Sequence, residues 1–466
     1  MVIGELKGRF APAERGARAL TVAVLGAAWL FVAALNWPGH LSYDSVLQLL
    51  DARTGFYHTW HPPFMAWLLS LSDGLTHGTG PYMMGQGLLL FGSLGAIVVA
   101  SPKVGRFSPL LPVILLFSPL VMLWQAIVWK DVLFADLTVA GFAALYVGQS
   151  RRLGRGWSLA VTGKGLVLLA AASLVRQNGA TVLLMGVAAI GYGAWLAGAM
   201  NGRSRRLRAA IVGLAALAFG LLVALAMNLA VLTRAIDRSG PEAQIHMLQT
   251  FDVVGAVAHD PSLKLDHLDP ATAALIRATA KSEYTPARND GLLGNDFNRA
   301  TVEVADDIQN QWFDIILHHP RPWVEHRLAV IGWHLTSPLK VCPRDVTGID
   351  GPLPQLKALG MHNEQTPRDI ALEHYASLFH HTPVYSHWFY AVLALVLTVV
   401  MFRSREGGDA VLGFMLIGAL GFVASFVLIG VACDYRYLYA LDLCTVVATF
   451  RWALGPSGRP PISADG

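Results

Sequence analysis

Apolar residues run along this chain in blocks of about twenty, and polar residues collect between the blocks. The blocks fall near 19–37, 82–100, 108–128, 131–149, 157–175, 179–199, 209–232, 387–402, 410–432 and 436–452. A helix needs about 20 mostly apolar residues to cross hydrocarbon. The pattern therefore predicts about ten transmembrane helices, since a bilayer leaves no other partners for backbone polar groups. The block at 157–175 is the weakest, because Lys164 lies inside it and has to snorkel to a membrane face. The long polar interval 233–386 carries helix-like patches at 303–317 and 322–335 and is large enough for a small, mostly helical domain. No internal repeat or low-complexity block interrupts this order.

Lys and Arg accumulate in cytoplasmic loops, so their distribution orients the spans. Lys7, Arg9, Arg15 and Arg18 precede the first block. Alternate loops then hold Lys103 and Arg106; Arg151, Arg152 and Arg155; Arg203, Arg205, Arg206 and Arg208; Arg403 and Arg405. Both termini are expected in the cytoplasm. The chain then divides into a core at 1–232 with its first outer loop at 38–81, an outer segment at 233–386, C-terminal spans at 387–454, and a Gly/Pro-rich tail at 455–466 expected to be a disordered cytoplasmic end. The first apolar block reads as a retained helix rather than a cleaved signal, since no small-residue cleavage site follows it before Asn36 and Trp37.

Composition agrees, with 54% hydrophobic and only 14% charged residues in 466. The net charge of +4 reports topology and implies no nucleic-acid partner. Three cysteines without CxxC spacing exclude a zinc or redox motif of that type. Cys342 and Cys433 would both face outward, and a disulfide between them and two free buried thiols are both open.

The short outer turns change the picture, because basic residues are disfavoured there. Each nevertheless holds one: Lys130 in WKD, Arg176 in RQNG and Arg436 in DYRY, with Arg53 in the first outer loop. An outer-leaflet lipid phosphate would explain them, since Arg binds phosphate in bidentate fashion. The plainer alternative is a snorkelling anchor or a partner for a neighbouring acid. Asn178 in RQNG and Tyr437 in DYRY sit beside these cations as candidate acceptor contacts.

In the first outer loop, Ser42 or Asp44 can cap a helix at roughly 43–52, with Asp44, Gln48 and Asp51 on one side and Val46, Leu49 and Leu50 on the other. A second helix is expected from Pro62, holding His61 extended at its mouth. An N-cap aspartate and an interfacial histidine are ordinary features, so spacing alone leaves both residues open.

Asp44, followed by Tyr57-His58-Thr59-Trp60-His61-Pro62-Pro63, resembles the first outer loop of the GT-C glycosyltransferases. The likeness is to the bacterial branch related to protein O-mannosyltransferases and lipid A aminoarabinose transferases, and it covers roughly half the chain. The resemblance implies a GT-C-like all-α polytopic membrane fold with two interfacial helices in the first outer loop. It also implies transfer of a sugar from a polyprenyl-phosphate donor, with inversion, to a glycan, lipid or protein hydroxyl. On that likeness Asp44 is the essential acid and Asp131 a second acid at the outer end of the fourth span. His61 stands where relatives often carry a phosphate-binding lysine, which shifts donor binding towards Lys130, Arg176 and Arg436. A divalent metal held by Asp44 and Asp131 stays open, because Ser45 replaces the adjacent acid of metal-using relatives. The implied location is a bacterial inner membrane with the site on the outer face. A transporter or flippase, or a polymerase or ligase of lipid-linked glycans, are the competing readings. The polar residues gather at one face rather than at the midplane, against a transporter. Neither a Walker A sequence nor an Asp-x-Asp pair occurs.

Overall fold

The computed structural model describes residues 12–150, 153–197, 202–293, 295–342, 344–404 and 406–455. Lys7, Arg9, Arg151, Arg152, Arg405, the side chain of Arg203 and the tail beyond 455 lie outside the described residues.

The chain is an all-α polytopic membrane protein. Helix α1 spans Pro12–Asn36; α2 (Tyr43–Thr54) and α3 (Phe64–Thr76) occupy the first long connection, with a short strand β1 (Tyr57–His58) between them. Then come α4 (Gly80–Ala100), α5 (Leu110–Leu116), α6 (Pro119–Met122), α7 (Lys130–Gly148), α8 (Arg155–Val175), α9 (Ala180–Leu196) and α10 (Gly202–Leu232). Strand β2 (Ala235–Asp237) pairs in parallel with β1. The outer segment supplies α11 (Gly240–His259), α12 (Pro270–Ser282), α13 (Asn295–Glu303), α14 (Ala305–His318), α15 (Pro320–Thr336), α16 (Leu353–Ala358) and α17 (Pro367–Ser377). The chain closes with α18 (His387–Arg403), α19 (Gly407–Ile429) and α20 (Tyr439–Ala453).

Among the described residues six helices are long and apolar enough to cross a membrane, not the ten expected: α1, α4, α7, α8, most of α10, and α19. The run holding Lys164 is one of them, and that lysine is exposed. Helices α9 and α18 are apolar but shorter, at 17 residues each. The block at 108–128 breaks because Pro119 forces Ser118 before it into an extended conformation, φ −76° and ψ 126°, leaving α5, α6 and a turn of 3-10 helix at Trp124–Ala126. The block at 436–452 begins as 3-10 helix at Tyr435–Leu438, so α20 keeps 15 residues. At 1.5 Å per residue that is about 22 Å, short of a hydrocarbon core of about 30 Å.

Helix α7 is the axis of the bundle. Its apolar stretch is 89% buried, and it packs on α4, α8, α19 and α20. Lipid chains offer helices no hydrophobic drive to associate, so close approach of small residues carries the packing. Gly141 of α7 faces Gly165 of α8, where an added Cβ would lie 2.9 Å from the Gly141 carbonyl oxygen and 2.8 Å from Leu145. Two acids inside the bundle are hydrogen-bonded there: Asp136 accepts from Gln125 Nε2 at 3.0 Å through one oxygen, its other oxygen being buried without a partner among the described residues, and Asp442 accepts from Tyr435 Oη at 2.7 Å, with His387 Nδ1 at 3.0 Å. At the end away from α2, Arg451 bonds Asp409 and Tyr146, tying α20, α19 and α7.

The outer segment has two attachments. Helices α11 to α15 enclose their own core around Phe251, Val254, Ile276, Ile308 and Ile315. Residues from α16 onward, including Leu356, Leu372 and Tyr385, join the bundle's core instead. Cys342 and Cys433 are bonded, which decides between the two states left open, and Cys444 is a free, buried thiol.

The glycine contact is testable. Gly165→Val should destabilise the protein by about 1–3 kcal/mol through overpacking, read as a lower Tm in detergent. Gly163→Val, whose Cβ would meet nothing within 4 Å, should leave Tm unchanged. Equal effects from both would show that the α7–α8 approach is not a tight contact.

Candidate functional site

The break at Ser118 has a structural product: an extended stretch at 127–129 on which the first long connection docks. Gly39, at φ +107°, turns the chain against Ala126. The His40 N–H then donates to the Ala126 oxygen at 2.9 Å, and the Val128 N–H to the His40 oxygen at 3.0 Å. Ser45 Oγ donates to the Val128 oxygen at 2.6 Å, and Trp129 Nε1 donates to Ser42 Oγ at 2.6 Å. These bonds set the first turn of α2 beside the first turn of α7. Asp44 and Lys130, far apart in the chain, become neighbours. Ser42 is the N-cap residue of α2, as expected. The second helix begins at Phe64 rather than Pro62, with Pro63 as its N-cap residue, so it starts only after both prolines.

Around Asp44 the side chains form one connected cluster. Arg436 Nη1 lies 2.7 Å from Asp44 Oδ2, and His61 Nε2 lies 3.6 Å from Asp44 Oδ1. Lys130 Nζ donates to His61 Nδ1 at 2.8 Å, so the imidazole proton sits on Nε2 and faces Asp44. Arg176, at the C-cap of α8, bonds Asp131 in the first turn of α7. The Tyr437 ring stands between the two guanidinium groups, 5.1 Å from that of Arg176 and 5.3 Å from that of Arg436. Trp129 lies 5.1 Å from the Arg436 guanidinium on another side. All three contacts have cation–π geometry.

Burial alone would raise the Asp44 pKa, but Arg436, His61 and Lys130 outweigh it and hold the carboxyl well below its ordinary range. The helix N-terminus favours the same ionised form. Burial, with Lys130 beside it, lowers the His61 pKa against the pull of Asp44, so the imidazole is neutral at pH 7. Burial raises the Asp434 pKa against the opposing effects of Arg436 and Arg288.

Of the residues singled out in the sequence, Asp44, His61, Lys130, Asp131, Arg176, Arg436 and Tyr437 are brought together. Gln48 sits one turn along α2 from Asp44, buried, and donates to the Asp44 carbonyl at 3.3 Å. Asn178 is occupied elsewhere, donating to Ser425 Oγ of α19 at 2.7 Å. Arg53 is bound to Asp73 through two hydrogen bonds of 3.0 and 2.6 Å, and so is a loop fastener. Asp434, Arg288 and Trp129 enter the site without having been selected. Asp434 was legible in DYRY as an acid two residues from Arg436, whereas nothing in its local sequence marks Arg288. A cavity of about 540 Å³ opens between α2, α3 and residues 349–361, but it is lined by Trp37, Leu49, Arg53, His77 and Met361 among others and by none of the charged cluster.

The donor set does not fit a divalent ion. Asp44 and Asp131 each give an oxygen to an arginine, and among the described residues no three His, Cys, Asp or Glu converge. A guanidinium at each carboxylate opposes a second cation there.

The chain matches no protein-family model and none of the curated proteins. Solved structures of low similarity do match. The oligosaccharyltransferase AglB from Archaeoglobus fulgidus, in complex with an inhibitory peptide and a dolichol-phosphate, is 13% identical with a TM-score of 0.40, covering 92% of this chain and 50% of that one. The same organism's oligosaccharyltransferase with Zn and sulfate is 12% identical, TM-score 0.41, over 92% and 48%. ArnT from Cupriavidus metallidurans in the apo state is 15% identical, TM-score 0.36, over 92% and 77%. The chain thus spans about half the length of the oligosaccharyltransferases.

The Asp44 ion pair carries a pH signature. A carboxyl held below its unfolded value of about 3.9 adds stability that is complete above that value and is lost as pH falls through the folded pKa. Asp44→Asn should therefore still lower Tm at pH 5, with the gap closing only on stronger acidification. A gap that disappears between pH 8 and pH 5 would mean that Arg436 does not hold Asp44 ionised.

Proposed function

We propose that this protein is a membrane glycosyltransferase of GT-C type, moving a sugar from a polyprenyl-phosphate donor to an acceptor hydroxyl at the outer face of a bacterial inner membrane. The observation that carries this reading is the convergence of Lys130, Arg176 and Arg436 with Asp44 at one end of the helical bundle. Three cations against the two carboxylates Asp44 and Asp131 leave one positive charge. Arg288 and Asp434 add one of each sign. A sugar-linked polyprenyl phosphate is a phosphodiester with one negative charge, which the surplus matches. Its lipid tail suits a site at the end of apolar helices.

In this reading the phosphate shares Arg436 with Asp44. That weakens the hold on the carboxylate and restores the basicity that Arg436 suppresses. Asp44 then takes the proton of the acceptor hydroxyl, whose oxygen attacks the anomeric carbon. The new carbon–oxygen bond forms as the bond to phosphate oxygen breaks, and polyprenyl phosphate leaves with the electron pair. Arg176, Arg436 and Lys130 face the charge that grows on the leaving phosphate. Attack opposite the phosphate inverts the anomeric centre.

His61 has a defined part in this scheme. It takes the place of the lysine before Pro-Pro and holds Lys130, so the cation comes from α7 rather than from the loop. Asp131 orients Arg176. Gln48 and Tyr437 border the space an acceptor would enter, and Asn178, bound to Ser425, is left out. The Cys342–Cys433 bond supports an oxidising outer face.

Positioned proton transfer contributes ~10²–10⁴-fold. Asp44→Asn should therefore lower sugar transfer in vesicles supplied with lipid-linked donor by at least about 10²-fold, while polyprenyl-phosphate binding persists. Arg436→Ala and Arg176→Ala should weaken that binding. Full transfer by Asp44→Asn removes the proposed base. For the orientation, protein taken from its native membrane should gain two alkylated cysteines, Cys342 and Cys433, only after reduction. Alkylation of both without reduction would place them in a reducing compartment.

A further inference from the structure

The link between α19 and α20 is short and extended, and the outer segment grips each of its residues. Arg327 of α15 donates to the Gly430 oxygen at 2.7 Å. The Asn289 N–H donates to the Val431 oxygen at 2.9 Å, and Arg288 forms an antiparallel bridge with Ala432. Cys433 is bonded to Cys342, and its carbonyl accepts from Ser337 Oγ at 3.3 Å. Asp434 Oδ1 accepts from Arg288 Nη2 at 2.5 Å. Two residues later the chain reaches Arg436. Its Nη2 lies 3.3 Å from Asp434 Oδ2, and its Nη1 lies 2.7 Å from Asp44.

We propose that Asp434, held by Arg288, is a positioning residue: through it the outer segment sets the orientation of the Arg436 guanidinium that faces Asp44 and the donor phosphate. The inference rests on the glycosyltransferase reading and adds the device that orients its central cation.

Geometry favours orientation over simple attachment. Backbone bonds and the disulfide already fasten residues 430–433, so the Arg288–Asp434 contact is not needed to hold the link. What it adds is a carboxylate with one oxygen on Arg288 and the other on Arg436. A guanidinium is planar and offers its donors as a fixed fork. Ion pairs of Nη2 with Asp434 at 3.3 Å and of Nη1 with Asp44 at 2.7 Å therefore restrict how the group can lie. Among its other N–H donors, Nε is buried with no hydrogen-bond partner among the described residues. An oriented, unpartnered donor beside Asp44 suits a phosphate oxygen. A guanidinium tilted by loss of Asp434 would present neither edge correctly.

The test uses full-length protein in nanodiscs. The variants are Arg288→Ala, Asp434→Asn and Arg288→Lys, with Asp290→Asn as control, since Asp290 meets Arg288 at 3.4 Å from an exposed position. Three quantities are read: turnover and KM with lipid-linked donor, binding of undecaprenyl phosphate, and Trp129 emission in the unliganded protein, taken as the difference from Trp129→Phe. Trp129 reports directly on the Arg436 guanidinium above it. Arg288→Ala and Asp434→Asn should lower kcat about 10²-fold, the scale of an ångström-level misplacement, and shift Trp129 emission at near-constant Tm. Arg288→Lys should recover most of the loss, and Asp290→Asn should match wild type. Unchanged turnover and emission in Arg288→Ala and Asp434→Asn overturn the proposal, as does a loss that only follows a fall in Tm. If wild type neither binds undecaprenyl phosphate nor transfers sugar, the glycosyltransferase reading fails. The emission comparison, which needs no ligand, then decides the positioning claim alone.

Discussion

A carboxylate and a guanidinium, Asp44 and Arg436, meet at the edge of a low-dielectric bundle and constrain one another. Either charge alone, largely withdrawn from water, would be strongly destabilising. Together, Asp44 and Arg436 fasten the first inter-helix connection to the link before α20. The surrounding structure follows from keeping both in place. The break at Pro119 provides the extended stretch on which α2 docks, α7 brings Lys130 to His61, and the outer segment holds the link that carries Arg436.

Much of this plan was legible because membranes simplify sequence. Apolar blocks predicted the class, and six of them form helices long enough to span, including the one interrupted by Lys164. The remainder diverged for local reasons. Proline at 119 ends a helix that hydrophobicity alone would continue, and a 3-10 turn consumes the start of the last block. Hydropathy records burial, whether in lipid or in protein. Helix α20, largely buried in the bundle's core, therefore reads like a span.

The candidate site divides along similar lines. Lys130, Arg176 and Arg436 stood out because a cation in a short outer turn violates a distribution rule, and that anomaly needs no contact map. Asn178 was chosen only by adjacency to Arg176, and adjacency in a turn does not fix direction; its amide turns to Ser425 instead. Arg288 lies in a long segment where charges are unremarkable, so its contact with Asp434 depends on a pairing between residues far apart in sequence. Pairings of that kind are set by the tertiary fold and leave no local trace.

Under the proposed reaction, the resting cluster bears on why a base would be stored in an ion pair. A free carboxylate at this position would be a better base but would lie beside uncompensated guanidinium groups and open to water. Paired with Arg436, it is held ionised and weakly basic. Under the proposed reaction, a phosphodiester arriving at the same guanidinium matches the one surplus positive charge of Lys130, Arg176 and Arg436 over Asp44 and Asp131, so the local charge balances once the donor is bound. In that proposal, reactivity at Asp44 would depend on the donor being present, and acceptor hydroxyls reaching the site without a donor would meet a carboxylate too weakly basic to deprotonate them.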